Sequence, residues 1–122
     1  MRRGDIVRAD LEPTRGSEAN KTRPVVIVSD DALNTASVRL GRGMITVVPL
    51  TSNISNVLLH QTVLPADDET GLTAPSKTQP EQIRSIDIQR MGPVLGSLTS
   101  EQLHQLNWAL VGLLALDLYI DD

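Results

Sequence analysis

Aliphatic and β-branched residues recur along the first hundred positions in short runs separated by Gly, Pro and small polar residues, the pattern of a small β-barrel or sandwich. Residues 6–11 read as a first strand, and residues 24–29, the unbroken run Pro-Val-Val-Ile-Val-Ser, as a buried second strand. Residues 44–50 form a third. Residues 57–64 and 82–87 alternate as a fourth and fifth, and residues 92–98, with two glycines and a proline, read as a bent sixth.

The last segment has a different period. Thr99, followed three residues later by Gln102, is a capping-box pattern ahead of a long apolar region, and it predicts a helix from residue 100 to about residue 119. Its apolar positions, from Leu103 through Leu106, Trp108, Leu110, Leu114 and Tyr119 to Ile120, cover more than one stripe. A helix covered on one side only shows a single apolar face. The pattern therefore predicts a second contact, most simply with another copy of the chain, against the alternative of a helix sunk in its own barrel. The fold class expected is mainly β with a C-terminal α-helix, in one domain over residues 1–122.

Composition narrows the chemistry. The chain has no cysteine, which excludes disulfides, thiolate metal sites and cysteine nucleophiles and fits a reducing, cytoplasmic setting. The basic start, Met1-Arg2-Arg3, is not followed by an apolar signal region, and residues 109–116 are too short to span a membrane. The formal net charge of −4 argues against binding nucleic acid by charge alone. The charge is unevenly spread, however. Residues 1–42 carry eight basic and six acidic side chains, against three and nine in residues 43–122, so a local cationic patch on an acidic body is expected.

Residues 12–22 form a long polar connection without periodicity, of the kind that often carries function. It ends at Arg23-Pro24, where the proline biases Arg23 to extended backbone and marks a strand entrance or edge. If the second and third strands pair antiparallel, Arg23 lies near Thr51, Ser52 and Asn53. This collects a guanidinium, hydroxyls from Ser17, Thr22, Thr51 and Ser52, the Glu18 carboxylate and the Asn20 and Asn53 amides at one end of the barrel. Such a group suits a phosphodiester, because arginine offers a planar fork of donors. The same residue types also fill ordinary turns.

Four segments sharpen that choice. Arg3-Gly4-Asp5-Ile6-Val7-Arg8-Ala9-Asp10-Leu11, Gly16-Ser17-Glu18 ahead of Arg23-Pro24-Val25-Val26, Pro49-Leu50-Thr51-Ser52, and Glu81-Gln82-Ile83-Arg84-Ser85-Ile86-Asp87 resemble, in order, the motifs of MazF/PemK toxins across nearly the whole chain. The resemblance implies an SH3-like barrel of the CcdB/MazF type, a homodimer, sequence-specific cleavage of single-stranded RNA, and neutralisation by a cognate MazE-like antitoxin. It places the catalytic arginine on Arg23 and its threonine on Thr51. RNA binding falls to Ser17, Glu18, Asn20, Ser52, Asn53, Glu81 and Gln82. Val7 departs from the aromatic residue of many relatives.

The implied reaction uses the ribose 2′-OH as nucleophile and leaves 2′,3′-cyclic phosphate and 5′-OH ends, so no metal or cofactor is called for. With no Phe, and only Trp108 and Tyr119 as aromatic residues, the chain has little on which to stack bases, and recognition is expected to lean on hydrogen bonds. His60 and His104 are read as structural or surface residues, and Asp67-Asp68-Glu69 as a solvated turn lacking the spacing of a calcium loop. Residues 121–122 read as a frayed end. A CcdB-like toxin that binds DNA gyrase without catalysis is the alternative, because the fold alone does not fix function.

Overall fold

The computed structural model describes residues 1–11 and 22–119. The described residues form seven strands: β1 (Asp5–Asp10), β2 (Thr22–Ile27), β3 (Met44–Thr51), β4 (Val63–Leu64), β5 (Ser76–Thr78), β6 (Arg84–Asp87) and β7 (Met91–Ser97). Two α-helices, α1 (Asp31–Leu40) and α2 (Ser100–Leu113), complete the regular structure of the described residues with short 3-10 turns at Pro80–Gln82, Ile88–Arg90 and Leu116–Leu118. The sheet runs β4-β5-β3-β2-β1-β7, and β6 also pairs with β3. All the pairings are antiparallel. Val47 of β3 faces Ile27 on one edge and Arg84 on the other. The sheet therefore curls into a half-barrel whose outer strands β6 and β7 are joined by the turn at Ile88–Arg90.

Alternation along the strands builds a core on each side of this curl. Ile6, Val26, Val48 and Leu50 point one way and are closed over by Leu106 and Leu110 of α2. Val7, Val25, Ile27, Ile45, Val47 and Ile86 point the other way, into the barrel, with Met91 and Ile88 packed against them. Central strands buried on both faces read as unbroken apolar runs, which is why residues 24–29 were legible. Val7 is fully buried in the barrel interior.

Four expectations need correction. Helix α1, unforeseen in the sequence reading, lies between β2 and β3. It is held by polar contacts. Its buried residues are Asn34 and Ser37, and Asn34 exchanges bonds with Ser29, accepting from Ser29 Oγ at 2.6 Å and donating to Ser29 O at 2.9 Å. Asp30 caps its start, and Gly41 ends it in the left-handed region at φ 68°. Secondly, only Val63–Leu64 of the predicted fourth strand is extended. Before it, local bonds replace the ladder: Leu58 N donates to Gln61 Oε1 and Gln61 N to Leu58 O. Thirdly, β5 is an additional short strand. Lastly, α2 stops at Leu113, six residues earlier than expected, because Ala115 takes a left-handed φ of 56°.

The capping box is present as read: Gln102 N donates to Thr99 Oγ1, and Thr99 N donates to Gln102 Oε1. The bend in β7 is real as well, with register shifts against β1. Gly96 is required there, since a Cβ would lie 2.2 Å from Glu69 O. Asp67, Thr70 and Gly71 form the expected turn, Asp67 Oδ1 accepting from Thr70 N at 2.8 Å. No described helix is long and apolar enough to cross a membrane.

Removing Leu106, which is fully buried between α2 and the sheet, is expected to cost about 2–5 kcal/mol, read as a lower urea midpoint for Leu106→Ala. A pH effect is expected at Asp31. Its Oδ1 accepts the Arg3 backbone N–H at 2.6 Å, and this bond, aided by Asn34 and by the charges of Arg2 and Arg3 against partial desolvation, holds the carboxyl below its ordinary 3.8. A carboxyl depressed in the folded state stabilises fully above its unfolded value, and that contribution is lost as pH falls through the folded value. The stability gap between wild type and Asp31→Asn should therefore be widest above about pH 5 and should narrow on acidification to about pH 2, measured by denaturant unfolding.

Candidate functional site

The site grows out of one strand register. Val25 faces Pro49, Val26 faces Val48 and Ile27 faces Val47, so continuing the ladder sets Arg23 opposite Thr51. Arg23 is exposed at the start of β2, ahead of Pro24, and Thr51 is the half-buried last residue of β3. Pro49 lies within β3, where a missing N–H would ordinarily break a ladder. Its carbonyl accepts from Gln79 N at 2.9 Å, on the edge away from β2, so the absent donor faces the gap between the β5 and β6 pairings.

A cavity of about 400 Å³ opens at this end of the sheet. Arg8, Thr22, Arg23, Thr51, Ser52, Asn53, Thr73 and Ser76 supply its polar lining, over a floor that includes Pro24, Leu50 and Leu72. No carboxylate lines it among the described residues. Arg8 Nη1 lies 3.5 Å from Thr22 Oγ1. Thr51 Oγ1 accepts from Asn53 N at 3.2 Å, which orders the turn and leaves the hydroxyl proton free to donate. Two guanidinium groups and several hydroxyls, set against an apolar floor without a competing carboxylate, make a receptor for a phosphate-type anion.

Arg23 also borders a second cavity, of about 310 Å³, lined by Leu11, Pro49, Gln79, Gln82 and Arg84. Gln82 thus joins the neighbourhood of Arg23. Glu81 lines neither cavity; its carboxylate is held instead by His60 Nε2 at 3.1 Å and Gln61 Nε2 at 3.0 Å. His104 accepts the Trp108 indole N–H at 2.8 Å on α2, away from both cavities. Ser17, Glu18 and Asn20 lie outside the described residues. No aromatic residue among the described residues lines either cavity.

Arg8 was missed by the sequence reading. Its signal was available: it lies two positions from Ile6 on the face that continues into the core, where an arginine must reach past the apolar layer to an open edge.

Comparison with known proteins agrees with this architecture. Residues 2–114 match the model of the PemK-like, MazF-like toxin of type II toxin-antitoxin systems. The chain belongs to that PemK/MazF toxin family. It is 51 % identical over 119 residues to endoribonuclease MazF9 of Mycobacterium tuberculosis, covering 98 % of each chain. With endoribonuclease MazF of Staphylococcus saprophyticus it shares 33 % identity over 110 residues, 90 % of this chain and 88 % of that one. Among solved structures, a mycobacterial endoribonuclease in complex with its cognate antitoxin superposes with a TM-score of 0.73 at 23 % identity, covering 95 % of this chain and 96 % of that one. MazF of Deinococcus radiodurans gives 0.73 at 22–23 % identity, over 94 % and 96 %. The half-barrel with a C-terminal helix is therefore the MazF fold, and the family match favours the MazF/PemK branch over the CcdB-like alternative.

A cavity of this composition should bind inorganic phosphate weakly. Titration into labelled PemK/MazF-type protein is expected to shift the amide signals of Thr51, Ser52 and Asn53, with the shifts lost in Arg23→Ala.

Proposed function

We propose that this PemK/MazF family member is a sequence-specific endoribonuclease toxin that cleaves single-stranded RNA without a metal. The observation that carries the proposal is the meeting of Arg23, Arg8 and Thr51 in one cavity with no carboxylate among its described lining residues. Relatives named endoribonuclease MazF support the same reading. In the reaction, the ribose 2′-oxygen forms a bond to the adjacent phosphorus and loses its proton. The bond from phosphorus to the 5′-oxygen breaks, and that oxygen takes up a proton. The products carry 2′,3′-cyclic phosphate and 5′-OH ends. Because the substrate supplies the nucleophile, no metal-activated water enters the scheme.

Arg23 has the leading role. Because a guanidinium is a poor proton donor in acid–base catalysis, it acts by stabilising charge on the pentacoordinate transition state rather than by giving up a proton. Thr51 donates its hydroxyl proton to the phosphate or orients the 2′-OH. Ser52, Asn53 and Gln82 contact the flanking nucleotides, and Glu81, an acceptor with lone pairs beyond those given to His60 and Gln61, meets base donors rather than phosphate. Ser17, Glu18 and Asn20 are assigned to RNA binding on the family resemblance.

Two partners complete the proposal. A MazE-like antitoxin neutralises the toxin in the cytoplasm, in keeping with the antitoxin-bound mycobacterial structure. A second copy of the chain covers the apolar surface around α2, where Trp108 is 61 % and Tyr119 82 % exposed and Leu114 and Leu116 are also exposed. Sedimentation is expected to give a dimer at micromolar concentration; a monomer would sink that part.

The decisive assay is incubation of wild type and Arg23→Ala with a long single-stranded RNA in EDTA. Discrete cuts with 2′,3′-cyclic phosphate ends, reduced about 10²- to 10³-fold in kcat by the substitution, are expected. Intact RNA after incubation with folded wild type would refute the assignment.

A further inference from the structure

The cavities at the open end of the half-barrel adjoin one another at shared lining residues. The first shares Arg23 with the second, and the second shares Leu11 and Arg84 with a third, of about 310 Å³, which is also lined by Ser85, Ile86 and Arg90. A trough thus runs from Thr51 past Arg23 to the outer edge of β6, with an arginine at every stage. On a chain of net charge −4 this is a concentrated strip of positive potential.

The arginines along it are not equivalent. Arg90 Nη1 lies 3.6 Å from Asp10 Oδ2, so its charge is matched. Asp87, the carboxylate in the third cavity, is turned to its own backbone, capping the following 3-10 turn by accepting from Gln89 N at 2.8 Å. Arg84 is exposed and forms no ion pair with any described residue. It stands at the first position of β6, opposite Val47, on the face that carries Ile86. The ladder to β3 fixes its backbone, and the residue lines both outer cavities.

We propose that Arg84 binds a second, non-scissile phosphate of the same RNA strand, so that the substrate lies along the trough with its scissile phosphate at Arg23. This rests on the ribonuclease reading above. Arg84 acts on affinity and register, whereas Arg23 acts on the chemical step.

The test compares wild type, Arg84→Ala and Arg84→Lys on RNA containing one cut site, between 50 and about 200 mM salt, a span in which phosphate contacts are strongly screened. Arg84→Ala is expected to raise KM about tenfold, with kcat changed by less than about twofold. The slope of log(1/KM) against log salt should become shallower by about 0.7, the value for one phosphate contact on a single strand. Arg84→Lys keeps the charge and should restore the slope. Replacing single phosphates by uncharged methylphosphonates should reveal one non-scissile position that weakens binding to wild type but not to Arg84→Ala, the sign of a direct pair. An unchanged salt slope in Arg84→Ala, or the absence of any such position, overturns the inference while leaving the ribonuclease reading intact. RNA left uncut by wild type overturns both.

Discussion

The register between β2 and β3 is the constraint on which the molecule depends. Val25 opposite Pro49 sends Val25, Ile27 and Val47 into the barrel and Val26, Val48 and Leu50 towards α2. A slip of one residue would turn each of these side chains to the wrong face. The same register brings Arg23 and Thr51 together, so the packing that stabilises the fold also assembles the candidate site. Pro24 and Pro49 help to hold it, since neither can donate to an alternative ladder. Pro49 is accommodated only where its missing N–H faces the gap between β5 and β6, and Gln79 occupies that gap.

Much of this was legible in the sequence, for a physical reason. Strands buried on both faces must be continuously apolar, and a helix start with a capping box leaves a local signature, so β2, β3 and the start of α2 could be read directly. Antiparallel pairing of β2 and β3 then placed Arg23 beside Thr51 without side-chain coordinates. Where polar contacts replaced apolar burial, the reading failed. Helix α1 is anchored by Asn34 and Ser37, and hydrophobic periodicity carries no trace of such anchors. Residues 57–62 alternate like a strand, but Gln61 takes up both backbone groups of Leu58 locally. The end of α2 depends on the left-handed backbone of a single alanine, Ala115, which no propensity rule singles out.

Under the proposed function, the site lets an acidic chain address a polyanion. Its arginines are gathered at one open end of the half-barrel, drawn from β1, β2 and β6, while Asp10 and Asp87 along that edge are occupied by Arg90 and by the Gln89 backbone N–H. Glu81 is likewise engaged by His60 and Gln61 and lines neither cavity that Arg23 borders. Positive potential is thereby local, which favours a defined strand path over indiscriminate binding. With no aromatic side chain at the cavities among the described residues, the proposed ribonuclease would draw its selectivity from hydrogen-bonding groups such as Ser52, Asn53 and Gln82.

The central claim is that the β2–β3 register seats a scissile phosphate between Arg23 and Thr51. The most direct measurement is a crystal structure of the wild-type protein with an RNA made uncleavable by a single 2′-deoxy nucleotide on the 5′ side of the cut. The account predicts that phosphate oxygens lie within about 2.7–3.2 Å of the Arg23 guanidinium, with Thr51 Oγ1 in hydrogen-bond reach. An RNA whose uncleaved phosphate sits elsewhere on the protein, with Arg23 and Thr51 left in solvent, would contradict it.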